Sequence, residues 1–389
     1  MKKWNLIRLS MAAVVMATWM TGCGGNKSAS SSEASQEGNG VKRLMDAADE
    51  RQDAADAKAA NRTETADYQY EDDGNGDGVQ ILKYLGTDES VEIPEKLGKK
   101  AVVSIGSEAF SETEVKKVVM PATMKRIEAD VFDGTPLETL VLNDGLEKIG
   151  NLGECENLTE LTIPGTLSLD TGTPGTSYLS NLPNLRKVEF AEGTKEVGSL
   201  AGCEALEEVV IPAGTETIAE AAFYKCANLK SLILPESVTA IGDSAFTYSG
   251  IENLEIRGQI KEVGECMFNF CDALKDVSFL SHMDTISTNM FGSCTGLTEV
   301  VVPGNIKEVG DEAFTFCSDL QKVVFEEGVE ELGDTIFSNM ANLEEVVLPD
   351  SLIAVNGAFD RITPQRIVVG EGMDLDLLPE DCLERVVQE

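Results

Sequence analysis

The chain has 389 residues, of which 68 are Asp or Glu and 31 are Lys or Arg, giving a formal charge of −37 and a single histidine. So acidic a chain repels nucleic acid, whose phosphates need a basic face, and no nucleic-acid partner is expected. Every histidine-based triad or acid–base pair would have to use His282, and no G-x-S-x-G, P-loop or H-E-x-x-H pattern occurs, so no catalytic residue and no cofactor are assigned.

Lys2, Lys3 and Arg8 form a basic start, and residues 9–20 are apolar but too few to span a bilayer. Thr21 and Gly22 are the small residues of a cleavage site, and Met20-Thr21-Gly22-Cys23 resembles a bacterial lipobox, with Met20 where Leu is usual. Residues 1–22 are therefore expected to be a lipoprotein signal peptide and Cys23 to be lipidated, so that the protein is exported and held at a bacterial membrane by its lipid. Residues 24–40, rich in Gly, Ser, Ala, Asn and Glu, cannot bury enough surface to order themselves. In residues 41–66, Val41, Leu44, Met45, Ala48, Ala55 and Ala59 fall near helical spacing. Segment 23–67 thus reads as a flexible tether with a marginal helix, either solvated or partner-binding.

Residues 68–100 read as a capping β-hairpin, with Val79 to Tyr84 as one strand. Its turn, Asp73-Gly74-Asn75-Gly76-Asp77-Gly78, has the D-x-N-x-D-G opening of a calcium loop, with oxygen ligands at Asp73, Asn75 and Asp77. The bidentate acid that closes such a loop is missing, because its position is Tyr84. Asp, Asn and Gly are also the ordinary residues of a tight turn, which makes calcium the weaker of two readings.

Residues 101–369 repeat one pattern about a dozen times at intervals of mostly 22 or 23 residues. An aromatic column runs through Phe110, Phe132, Phe223, Phe246, Phe268, Phe291, Phe314, Phe337 and Phe359, with Leu152, Leu179 and Leu200 in the irregular units. In most units an L-x-x-L-x-L strand follows, from Leu206, Leu229, Leu274, Leu297, Leu320 or Leu343. A proline such as Pro212, Pro235, Pro303 or Pro349 then breaks the ladder, and a second short strand ends in Ile-Gly or Val-Gly. Units this short cannot close a core alone, so they must stack into a solenoid of short strands joined by tight or short helical turns. Residues 370–389 are left as a C-terminal cap or tail.

The signature Ile-Gly-x-x-Ala-Phe-x-x-Cys-x-x-Leu, nearly intact at residues 309–320, resembles the BspA-like, or Treponema-type, leucine-rich repeat family. Residues 78–94 also look like the hairpin that caps such arrays. The resemblance implies a right-handed superhelix with a strand sheet on one face. It also implies export to a bacterial surface, where some relatives bind host matrix proteins.

Cys155, Cys203, Cys226, Cys271, Cys294 and Cys317 share one position, three residues after the rung, which other units fill with Thr113, Thr135, Leu182, Ser249 or Met340. Such a slot is a small interior one, where free cysteine acts as a compact hydrophobe. Stacked side chains point in parallel, which opposes disulfides, and a straight column cannot surround a tetrahedral metal. No metal site is assigned.

Function must lie in what varies between rungs. The second, third and fifth residues of each long strand face outward. The fifth positions Val301, Val324 and Val347 make an apolar column, beside which run Thr298, Glu299, Gln321, Lys322, Glu344 and Glu345. This is the candidate binding surface, although β-branched residues also simply suit strands. A longer unit holds a candidate protruding loop at Thr171, Gly172, Thr173, Pro174, Gly175 and Thr176. The expected function is non-enzymatic protein binding or adhesion at the cell surface, the partner being a host matrix or envelope protein. The alternative is a structural scaffold lipoprotein that binds other envelope components.

Overall fold

The computed structural model describes residues 63–152, 155–167, 179–360 and 362–389. Residues 1–22, Cys23, most of the 23–67 segment and the loop 171–176 lie outside them.

After a two-residue strand, Thr63–Glu64, the strands Tyr68–Asp72 and Val79–Tyr84 pair antiparallel around the Asp73 turn. Val79–Tyr84 then pairs in parallel with Lys100–Ile105, which converts a hairpin into the first rung of a solenoid. The sequence reading began the solenoid at residue 101. The strand Ser90–Glu92, inside the segment assigned to the hairpin, already pairs in parallel with Lys117–Val119. From there the chain winds a β-solenoid of about 13 turns with almost no helix.

Each regular turn contributes three stacked segments. The long strands, such as Glu299–Val302, Lys322–Phe325 and Glu345–Leu348, pair in parallel without a register shift. The two-residue strands, such as Glu308–Val309 and Glu331–Leu332, form a second parallel sheet. Gly310, after one of them, sets the corner: a Cβ there would lie 2.6 Å from the amide nitrogen of Thr288 one turn below.

The third segment carries the aromatic rung. On either side of the rung, two positions away, the backbone turns left-handed: Ala221 (φ 51°) and Lys225 (φ 59°) flank Phe223, and Ser244 (φ 54°) and Tyr248 (φ 59°) flank Phe246. The amides of Ala221, Phe223 and Lys225 all donate to carbonyls of the following turn, those of Asp243, Ala245 and Thr247 (2.9, 2.7 and 2.9 Å). This side is thus a one-way ladder of hydrogen bonds, unlike a β-sheet, and it satisfies backbone groups that would otherwise be buried unpaired.

Inside, the rings stack at close to the strand repeat. Phe246 to Phe268 is 5.2 Å between centroids, Phe268 to Phe291 5.7 Å and Phe291 to Phe314 5.5 Å, all within 10° of parallel. Tyr84, stacked 5.0 Å from Phe110, begins the column, so the hairpin plugs one end of the core. The Cys side chains do more than fill space. Cys294 Sγ donates to the Phe268 carbonyl and Cys317 Sγ to the Phe291 carbonyl, each at 3.0 Å. Thr135 in the same slot donates to the Phe132 carbonyl at 2.7 Å. Where the slot holds Cys or Thr it thus also donates to a rung carbonyl, while Leu182 and Met340 fill it elsewhere without a donor.

One expected strand is absent. In place of an L-x-x-L-x-L strand from Leu274, the chain makes a 3₁₀ helix over Ser278–His282. Asp276 accepts from the Ser278 amide (2.9 Å) and hydroxyl (3.0 Å), and adjacent Phe279 and Leu280 are both buried, which breaks the in–out alternation a strand needs. At the far end, residues 370–389 form a last rung: Val386–Gln388 pairs in parallel with Arg366–Val369, and Cys382 is buried.

Candidate protein-binding face

The long strands place the fifth-position residues in exact lateral register. Val301 stands beside Val324, Val324 beside Val347, Val347 beside Val368 and Val368 beside Val387. The column predicted from three valines therefore crosses five strands. Val301 is 44% exposed, Val324 and Val347 are half-buried, Val368 is buried and Val387 is again exposed. Val387 was missed because the terminal strand does not carry the repeat pattern. Its two adjacent valines before Gln388 were the available signal.

Beside the column runs a charged row built by the same register. Glu299 pairs with Lys322, Lys322 with Glu345, and Glu345 with Arg366. Lys322 Nζ lies 2.9 Å from Glu345 Oε1, Arg366 donates to Glu345 Oε2 at 2.8 Å, and its other terminal nitrogen reaches Glu389. The Lys322 hydrogen bond, reinforced by Arg366, holds the Glu345 carboxyl below its ordinary range although partial burial opposes this. The outer edge is formed by the exposed Thr298, Gln321 and Glu344, whose backbones continue the ladder: Gln321 N donates to Thr298 O (2.9 Å) and Glu344 N to Gln321 O (2.8 Å). Six of the nine residues of the expected surface thus lie in one sheet, and Thr298, Gln321 and Glu344 immediately precede its strands.

The long-strand face is discontinuous. One sheet ends at Glu208–Val210 and the next begins at Ser231–Leu234, and at that break Val210, Ile233, Pro235, Glu207, Glu208 and Arg257 line an open groove. Ile233, 48% exposed, is its apolar centre. Sequence periodicity could place Val210 and Ile233 outward but not show that their strands part.

The Asp73 turn is built around its own carboxylate. Asp73 Oδ1 accepts from the amides of Asn75, Gly76 and Gly78 (3.3, 3.1 and 3.2 Å), and Oδ2 from Arg126 at 3.1 Å. Gly74 and Gly76 have φ of +79° and +83°, which explains their identity. Burial pushes the Asp73 carboxyl up, but the Gly78 amide and Arg126 outweigh it and hold it below the usual range. Lys125 lies 3.5 Å from Asp77. Two of the three oxygen donors weighed for calcium therefore already face cationic side chains, and the turn reading accounts for the geometry. Among the described residues no group of three or more His, Cys, Asp or Glu is arranged to hold a metal ion.

His282 ends the 3₁₀ helix, with Nδ1 2.9 Å from the Gly258 carbonyl, a structural contact with no carboxylate or nucleophile in it. The eight cysteines among the described residues are free.

Residues 87–201, 198–317 and 285–366 match the BspA type leucine rich repeat region, in six copies. The chain belongs to this BspA-type leucine-rich repeat family. No curated protein matches it. Among solved structures, a leucine-rich repeat protein from Bacteroides ovatus is 21% identical over 84% of this chain and 99% of its own, with a TM-score of 0.50. A leucine rich cell surface protein from Faecalibacterium prausnitzii is 19% identical, over 83% and 97%, with a TM-score of 0.47. The pneumococcal vaccine antigen PcpA is 16% identical, over 84% and 96%, with a TM-score of 0.42. At these identities the likeness is one of fold. BspA-type solenoids, like other leucine-rich repeats, are typically non-enzymatic protein-interaction scaffolds.

Proposed function

We propose that this chain is a non-enzymatic, lipid-anchored protein of a bacterial surface that uses the long-strand face of its solenoid to bind or adhere to a protein partner. The observation that carries the reading is the valine column, an apolar strip in register across parallel strands and bordered by the Glu299, Lys322, Glu345 and Arg366 row. Contiguous exposed apolar area with a charged rim is the ordinary composition of an interface. The leader and Cys23 support export and anchoring. A host matrix protein is the favoured partner class. A scaffold role toward the cell's own envelope components is the second reading, supported by the same face.

The test is a pull-down with the mature protein against host matrix proteins and, separately, against envelope extract. Replacing Val301, Val324 and Val347 together by Ser should abolish capture in whichever arm is positive, and capture unchanged by the triple replacement would exclude the face. Radiolabelled palmitate incorporated by the parent chain and not by a Cys23→Ala variant tests the anchor.

A further inference from the structure

A second strip runs along the one-way hydrogen-bonded side of the rod, away from the valine column. Two residues after the rung, where the backbone is left-handed, three successive or near-successive turns carry Tyr248 (φ 59°), Phe270 (φ 58°) and Phe316 (φ 60°). They are 42%, 40% and 54% exposed. Elsewhere this position holds Gly134, Asn181, Gly202 and Asn339, or the non-aromatic Glu112, Lys225 and Ser293. A bulky side chain in left-handed backbone is locally unfavourable, and a ring left about half exposed regains only part of that by burial and stacking.

Tyr224, Tyr248 and Phe270 form a connected platform. Tyr248 and Phe270 stack at 4.4 Å with 6° between planes, and Tyr224 meets Tyr248 edge-on at 5.9 Å. Phe316 follows two turns after Phe270, past the small Ser293 in the same column. Five residues before the platform position in the same turns stand exposed Asp243, Glu265 and Asp311, with Glu220 and Asp334 continuing the row on either side. Each of these turns thus carries an exposed ring and an exposed carboxylate, Asp243 and Asp311 also accepting the amides of Glu265 and Asp334 in the next turn (2.8 and 2.7 Å). Ring faces and carboxylates together attract one class of group, a cation with an organic surround. The protein already supplies one example, since Lys225 Nζ lies 5.3 Å from the centroid of the Tyr224 ring at the end of the platform.

We propose that this strip is a docking surface for a lysine- or arginine-bearing segment of a partner polypeptide, whose cationic side chains lie on the Tyr248, Phe270 and Phe316 rings with the acidic row alongside. It is independent of the valine column, so either surface can fail without the other.

The experiment measures binding of a fluorescein-labelled oligolysine peptide, and of the same peptide trimethylated on every side chain, by anisotropy at low and raised salt. The proteins are the parent chain and a Tyr248→Asn, Phe270→Asn, Phe316→Asn variant. Asn is already resident in this conformation at Asn181 and Asn339, so the variant should fold, which circular dichroism checks. The charge is the same in both, so general attraction to an acidic rod cancels. The parent should bind both peptides, and the variant should bind each about tenfold more weakly, the gap persisting at raised salt. Equal binding by parent and variant would overturn the proposal. So would binding that trimethylation abolishes, since that would require ammonium hydrogen bonds, or ring-dependent capture of a neutral oligosaccharide in place of the peptides.

Discussion

At the residue scale, two buried titratable features make the fold depend on pH in opposite directions. Burial raises the column thiols, Cys203 to about 11 and Cys271 and Cys317 to about 12, from an ordinary value of 9.0. A raised folded pKa means the neutral thiol favours the fold. That contribution is intact below about pH 9 and is lost as pH rises toward 11 to 12, so urea midpoints should fall over this alkaline range. The same thiols should resist alkylation in the native protein at pH 8 and react on unfolding, while the partly exposed Cys266 reacts first. Asp73 works the other way. Its carboxyl is held low, so its contribution is present above the ordinary carboxylate pKa of 3.8 and lost as pH falls through the lowered value. Protection factors of the hairpin amides should fall on acidification, and an Arg126→Met variant should show the lower protection already at neutral pH.

The Cys slot also shows what one-dimensional alignment can and cannot resolve. That the slot is interior and small follows from Cys294 and Cys317 recurring with Thr135 and Ser249. That its cysteines donate follows only from the carbonyl of the preceding rung lying 3.0 Å away. Accordingly, Cys294→Ser should be nearly neutral, whereas Cys294→Val should cost about 1 kcal/mol by removing one of the two donors to the Phe268 carbonyl, the Cys271 amide remaining. Equilibrium urea unfolding of the two variants separates a donor slot from a merely small one.

At the element scale, the strands are held by the rungs they enclose. Phe291 is fully buried and stacked between Phe268 and Phe314, so Phe291→Ala should cost about 3–5 kcal/mol, more than either neighbour's surface substitutions. The missing strand at Ser278–His282 has the opposite lesson. Leu274 and the residues after it carry the apolar spacing of a strand, yet Asp276 captures the Ser278 amide and Phe279 with Leu280 buries two neighbours in succession. Local side-chain hydrogen bonding outweighed a pattern that matched its neighbours. The left-handed positions were likewise illegible, because Glu108, Lys225, Tyr248 and Phe316 give no hint of positive φ one residue at a time.

At the scale of the whole molecule, a solenoid is stabilised by nearest-neighbour interfaces, so its ends decide how it frays. The Tyr84 plug and the Val386–Gln388 rung close the two ends of the core. Removing residues 370–389 should expose Ile367 and Val369, now buried, and amide exchange should then accelerate from the C-terminal turns inward while the hairpin end stays protected. Uniform acceleration along the rod would mean instead that the molecule opens as a single cooperative unit.

The sequence by itself determined the repeat, its interior columns, the outward positions of the long strands and the family to which the chain belongs. These are fixed by alternation and period, which are local properties of a chain whose every unit meets the same surroundings. Tertiary structure alone decided which outward residues meet. It extended three valines to a column reaching Val387, opened the groove at Ile233, and stacked Tyr248 on Phe270. The reason is geometric: surfaces of a solenoid are assembled from residues a full turn apart, and inter-turn register and backbone handedness, which bring them together, are set by hydrogen bonds between turns.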